Sequence, residues 1–381
     1  MYRKSVYFLV IAVATILVIG IVMLFSISAY AHDAHGDPFS FVKRQAMWLG
    51  LGVVGCIAGS LVDYHFWRKT CWIWFGISAV LLALCFVPHI GMRINGSYRW
   101  VGHGGLRFQP SDLAKLATVA FLAWWFSKYE QESGQFVKGF ICPILIVSFL
   151  MCLIMRETDM GTTALLGGTM LIVMFVAGTG LTYLAPLPVV GIIGIIYLGS
   201  HMKGRSERML AFLDPEKYKD GAGLQPWNAL IAFGSGGVEG LGLGNSRQKM
   251  QYLPFAHTDF IFPMIGEELG LRFTLLVVFC YFIIIVCGTM ISMQARDRFG
   301  MLFGFGIVSM IALQAALNIG VTTALLPNKG IALPFISYGG SNLVFCLVCI
   351  GILINIYRQG IMEKPADKTT TRLRARVTPR I

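Results

Sequence analysis

Apolar runs of membrane-spanning length recur along this chain, and no other feature limits its fold as strongly. A helix needs about 20 apolar residues to cross a bilayer core. The runs place helices at residues 6–29, 45–62, 71–89, 112–127, 139–156, 160–178, 182–200, 260–291, 301–320 and 340–357, about ten spans. The 178–182 connection is short, and 260–291 is long enough to tilt or break, so the count is expected to hold to within about one. Charged residues are only 13% of the 381, against about 25% in soluble domains. The chain reads as an all-α, polytopic membrane protein.

The net charge of +12 does not point to nucleic acid, because the cations sit in short loops and in the tail from Arg358 to Arg380. Such placement sets orientation and favours anionic lipid. Arg3, Lys4, Arg68, Lys69, Lys128, Lys138, Arg296, Arg298 and the tail all fall on one side of a ten-span chain. That side, with both termini, is expected to be the cytoplasm of a bacterial cell. The opposite face then receives segments 30–44, 90–111, 201–259 and 321–339, with a large extracytoplasmic loop of about 201–259 between spans 7 and 8.

Residues 1–362 form one transmembrane domain on this view, and 363–381 a basic, disordered tail. The run from Val6 to Phe25 is roughly twenty residues, longer than the roughly 7–15 of a signal-peptide core. It is therefore expected to remain as the first span, although Ala29-Tyr30-Ala31 resembles a cleavage site. The nine cysteines lie in apolar stretches, and Cys346 and Cys349 form a CxxC inside one of them, so packing is expected of them. Gly55 and Gly59 form a GxxxG pair, too common by chance to assign a role.

Five segments could carry chemistry. Arg93 to Trp100, including Arg99, precede Gln109-Pro110-Ser111-Asp112, where a helix starts. Asp112 and Lys115, three apart, share a helix face and also read as a cap with a buried ion pair. Arg156-Glu157-Thr158-Asp159 joins two spans and equally reads as a solvated turn. A glycine-rich loop ends in Asn245, Arg247, Gln248 and Lys249; its two cations suit a pyrophosphate or, equally, solvent. His257-Thr258-Asp259 opens a span carrying Glu267 and Glu268, with Asp259 doubling as a candidate cap. Leu326 to Ser341, containing Lys329 and Ser337, cannot form a straight helix and reads as a broken segment lining a cavity.

In this order and spacing the segments resemble the SEDS family (FtsW, RodA, SpoVE). HTDFIF with GEELG, and PFISYGGS, carry the resemblance most specifically. QPSD looks like the family's QPSE, and RETDMGT like its EPDxGT with Thr158 where proline is usual. Gln248-Lys249 and Lys329-Gly330 look closer to the FtsW, or division, branch than to the elongation branch. The resemblance implies a peptidoglycan glycosyltransferase that polymerises lipid II outside the cytoplasmic membrane, alongside a class B penicillin-binding protein transpeptidase and other division proteins. It implies Asp259 as the catalytic carboxylate, with Arg99, Asp112 and Lys115 lining the same cavity.

The residues are consistent with that chemistry. Attack by a sugar hydroxyl needs one general base. A lipid pyrophosphate leaves without protonation by a second carboxylic acid, so the paired-carboxylate pattern of glycosidases is not required. Arg99, Lys115, Arg247, Lys249 or Lys329 supply charge for the diphosphate; Trp100, His257, Thr258 and Ser337 complete the substrate-binding set. A divalent ion, Mg²⁺ or Mn²⁺, could help, although no DxD pair or histidine cluster is present. The competing readings are a lipid II flippase using the same charges as a path and a non-catalytic division scaffold. Clustering of the unusual residues on one face favours the enzyme.

Overall fold

The computed structural model describes residues 4–28, 39–88, 90–94, 97–103, 106–201, 206–249 and 256–362. The tail 363–381, Arg3, Ala29-Tyr30-Ala31, Asn95-Gly96 and Leu253-Pro254 lie outside the described residues.

Each apolar run coincides with a helix. In chain order these are α1 (Ser5–Ser28), α2 (Ser40–Leu61), α3 (His65–Leu84), α4 (Pro110–Lys128), α5 (Cys142–Arg156), α6 (Met160–Ala177), the short α7 (Leu181–Leu184), α8 (Pro186–His201), α9 (Ser206–Leu213), α10 (Leu224–Gly236), α11 (Ile261–Ser292), α12 (Arg298–Thr322) and α13 (Gly340–Met362). Six of the described helical stretches, α1, Phe136–Arg156, α6, α11, α12 and α13, are long and apolar enough to cross a membrane by length and composition. The protein is a multi-pass membrane protein.

α4 is central. Every residue from Pro110 to Ala123 is buried, as expected of a helix enclosed on all sides. The outer helices show their apolar side chains outward, with Leu275, Phe279 and Phe282 of α11 exposed together on one face. Glycines let α2 and α13 approach closely. A Cβ at Gly59 would lie 3.1 Å from the Val348 carbonyl, and one at Gly351 only 2.2 Å from the Cys56 carbonyl. The GxxxG pair, given no role above, is thus part of the α2–α13 seam. Gly351→Ala is expected to wedge the seam apart at a cost of about 1–3 kcal/mol. A lowered thermal unfolding midpoint of the detergent-solubilised protein would show it. Cys346 and Cys349 are buried free thiols of α13.

Two departures from a plain bundle position the site. The 90–111 segment, expected as loop, contains a three-stranded antiparallel meander of β1 (Gly91–Ile94), β2 (Ser97–His103) and β3 (Leu106–Phe108). Its register pairs Val101 with both Gly91 and Phe108. Asn95-Gly96 between alternating residues was the sequence signal for this hairpin. The second departure is inside α11. Gly270 has φ 76° and ψ −174°, which no helix continues through. It divides α11 into a short first half, 261–269, and a long second half, 271–292. Glu267 and Glu268, expected at membrane depth, lie on the short half.

Candidate active site

The floor of the site is the stretch between α12 and α13. Pro327, Pro334, Gly330 and Gly339 bar a helix there, yet Leu333 to Ser337 are buried. Buried backbone groups must find partners, and polar side chains of α11 and α12 supply them. Asn318 donates to the Ile331 carbonyl at 2.6 Å, Gln314 to Ala332 at 2.8 Å and Tyr281 to Pro334 at 2.5 Å. Ser337 Oγ accepts from the Leu333 amide at 2.7 Å.

This floor holds the segment entering α11. Three consecutive carbonyls each accept a hydrogen bond from it or from α12. Tyr338 N donates to His257 O at 2.9 Å, Ser337 Oγ to Thr258 O at 2.6 Å, and Asn318 Nδ2 to Asp259 O at 2.8 Å. The His257 ring stacks on Phe41 at 4.6 Å and meets Tyr338 edge-on at 5.8 Å. The Asp259 carboxylate lies against Gly330, where a Cβ would stand 2.7 Å from Oδ2. No larger residue at 330 leaves the carboxylate where it is.

The second wall is the turn between α5 and α6. Thr158 has φ 65°, the left-handed region rarely used outside glycine. Arg99 of β2 fixes it, donating to the Thr158 carbonyl at 2.7 Å and lying 4.0 Å from Asp159 Oδ2. Ser97 pairs with the Thr158 hydroxyl at 2.8 Å. Asp159 caps α6 through the Thr162 amide at 3.0 Å.

A third group links this wall to α4. Gln109 donates to Asp159 at 3.4 Å and its amide to Ser341 Oγ at 3.3 Å. Ser341 donates to Asp112 at 2.7 Å. Asp112 pairs with Lys115 at 2.8 Å, and Lys115 reaches Gln314 at 3.1 Å and Asn342 at 3.3 Å. The expected buried ion pair is present, in a network that returns to the floor.

The charges act on one another. Burial pushes the Asp259 carboxyl up to about 6; the negative Asp159 pushes the same way and the Arg99 guanidinium opposes. Burial likewise raises Glu157 to about 8, with Asp159 adding to the rise. A carboxyl pushed up to about 6 stays ionised at neutral pH yet is a stronger base than an ordinary carboxylate.

Arg99, Asp112, Lys115, His257, Thr258, Asp259 and Ser337 thus belong to one connected set. Lys329 borders it, its Nζ 3.2 Å from Met160 Sδ. His257, Thr258 and Ser337 make their contacts here to protein and hold Asp259 in place. Trp100 follows Arg99 on β2 at a break in register, where Met92 pairs with Trp100 and Arg93 with Tyr98, leaving Arg99 without a β1 partner.

Lys249, suited by sequence to a pyrophosphate or equally to solvent, faces neither in this structure. Its ammonium is wholly buried against Glu268 at 2.8 Å and Ser26 at 3.1 Å. The two glutamates of GEELG bind the glycine-rich loop: Glu268 accepts from the Gly244 amide at 3.0 Å, and Glu267 from the Arg247 amide at 2.9 Å and from the Ser246 hydroxyl. Arg247 keeps its side chain exposed.

Gln314 and Asn318 were not singled out, although two amides four apart in an apolar span are such a signal. Among the described residues no three His, Cys, Asp or Glu side chains converge to hold a metal.

Comparison with known proteins agrees with this architecture. The family model described as cell cycle protein, covering FtsW, RodA and SpoVE, matches residues 7–361. Stage V sporulation protein E of Bacillus subtilis is 39% identical over 92% of this chain and 96% of its own length. A probable peptidoglycan glycosyltransferase FtsW of Geobacter metallireducens is 36% identical over 93% and 94%. Among solved structures, a chain from a peptidoglycan synthase complex that coordinates polymerization and crosslinking superposes with a TM-score of 0.76 at 26% identity, covering 93% of this chain and 98% of that one. The rod shape determining protein RodA of Thermus thermophilus superposes with a TM-score of 0.67 at 25% identity, covering 93% and 97%. This chain belongs to the FtsW/RodA/SpoVE family of cell cycle proteins.

Proposed function

We propose that the chain is a peptidoglycan glycosyltransferase that polymerises lipid II on the outer face of the bacterial cytoplasmic membrane, with Asp259 as general base. The observation that carries this is a single carboxylate whose segment is fixed by three successive carbonyl bonds and whose oxygen is seated against Gly330. Relatives named as probable peptidoglycan glycosyltransferases support it.

Asp259 takes the proton of the acceptor sugar's 4-hydroxyl as that oxygen attacks the donor's anomeric carbon. The new C–O bond forms as the bond to the pyrophosphate oxygen breaks, and the lipid pyrophosphate departs with the electron pair. Attack opposite the leaving group inverts the anomeric centre. The exposed Arg247, with Arg99 and Lys329, supplies positive charge for the departing diphosphate. Lys115 stays on Asp112 and shapes the cavity. Both termini are cytoplasmic on this reading, which puts the meander and Asp259 outside. Likeness to a polymerization and crosslinking complex supports a class B penicillin-binding protein as partner, and the FtsW-named relatives support a septal role.

The test is lipid II polymerisation by the purified chain together with its transpeptidase partner. Glycan strands are expected. Their absence, with lipid II crossing vesicles instead, would replace the reading by a flippase, for which the break in α11 would be apt. The pH profile is a sharper check. A base must be deprotonated, so the rate is expected to rise as pH climbs through about 6 and level off above it. Asp159→Asn removes a charge that raises this value, and should move the midpoint to lower pH.

A further inference from the structure

The far end of the bundle carries a second feature that the chemistry above does not use. α3 begins and α4 ends there, away from Asp112 and the meander. His65, Arg68, Lys69, Cys71, Trp72 and Trp124 line an open cleft of about 400 Å³ between these two helices. Its cations are unevenly committed. His65 Nδ1 lies 2.7 Å from Asp63, and Arg68 lies 3.5 Å from Asp297. Asp297 is itself engaged by the Tyr64 hydroxyl at 2.6 Å and the Gly300 amide at 3.1 Å. Lys69 is exposed and has no ion-pair partner among the described residues.

The other wall is aromatic. Trp72 meets Phe121 at 5.2 Å and Trp124 at 5.7 Å, both edge-on, and Lys128 lies 5.0 Å over the Trp124 ring. Below the cations α3 turns apolar side chains outward, with Ile73 59%, Ile77 39% and Val80 59% exposed. These residues run down the helix from the cleft at spacings of four and three. A cationic mouth at a helix end, walled by tryptophan and continued by an exposed apolar stripe, matches a molecule with an anionic head and hydrocarbon tails.

We infer that the α3–α4 cleft is a binding site for an anionic phospholipid, its phosphate at Lys69 and Arg68 and its acyl chains along α3. Charge complementarity selects the ligand class. A phosphodiester of net negative charge gains from both cations, whereas a zwitterionic lipid brings its own ammonium to the same place. Tryptophans at this level suit the boundary between headgroups and tails. The site lies in the leaflet opposite Asp259 and is independent of the polymerase reading.

Native mass spectrometry of the full chain, released from nanodiscs of equal phosphatidylglycerol and phosphatidylcholine with identical acyl chains, tests it. Preferential retention of phosphatidylglycerol is expected, and Lys69→Ala should weaken that preference roughly five-fold, the worth of one cation near a lipid surface. Ile77→Asn, on the apolar stripe, should reduce retention of both lipids while leaving Lys69 in place. Equal retention of the two lipids by the wild type would overturn the inference. So would unchanged selectivity in Lys69→Ala, displacement of the lipid by millimolar inorganic phosphate, or a dimer formed through this face that excludes lipid.

Discussion

Asp259→Ala is expected to slow lipid II polymerisation by roughly 10²- to 10⁴-fold, the usual contribution of a general base. The variant should still fold. The bonds that hold this segment run to the carbonyls of His257, Thr258 and Asp259, not to the Asp259 carboxylate. Removing the carboxylate also relieves a poorly solvated charge that the negative Asp159 disfavours. A turnover assay beside a thermal unfolding curve separates the two effects. Loss of activity with an unchanged midpoint supports the assignment. Wild-type turnover in the variant would end it, and loss of both would mean that Asp259 is structural.

Glu268→Ala should have the largest effect on stability. The Glu268 and Lys249 side chains are both fully buried, and the carboxylate additionally accepts from Ser26 and the Gly244 amide. Breaking a buried ion pair from one side costs about 3–5 kcal/mol, because a charge is left in a medium that solvates it poorly. The loss should appear as a marked fall in the thermal midpoint and as early proteolysis within the glycine-rich loop 237–249. Glu268→Gln with Lys249→Met, which removes both charges, should recover much of it. If Glu268→Ala melts like the wild type, the pair does not hold the loop.

The parts of the site that recur as short polar strings were legible in the sequence. His257-Thr258-Asp259 and the prolines and glycines of 327–340 declared a carboxylate and a non-helical floor, and the structure joins the two. Asp112 and Lys115 were legible because three-residue spacing on a helix has one geometric meaning. What could not be read was which group answers which across the fold. Lys249 looked like a phosphate ligand because sequence shows a cation but not the glutamate nineteen positions on that neutralises it. Gln314 and Asn318 were overlooked because two amides hardly disturb an apolar run, yet they satisfy the floor's carbonyls. The meander was missed because three short strands beside an Asn-Gly turn look like loop until a partner strand is placed.

The break at Gly270 fixes a height. The second half of α11 has 22 residues, Leu271 to Ser292; at about 1.5 Å each they reach about 33 Å, close to the roughly 30 Å of hydrocarbon in a bilayer. That half alone suffices to cross the oily layer. The first half, which carries Glu267 and Glu268 and begins two residues after Asp259, need not enter that layer. A substrate anchored by a long isoprenoid tail could present its pyrophosphate outside that layer with the tail still dissolved in the membrane. The enzyme would draw its substrate sideways from a two-dimensional solution, and its effective substrate concentration would be set by surface density in the leaflet.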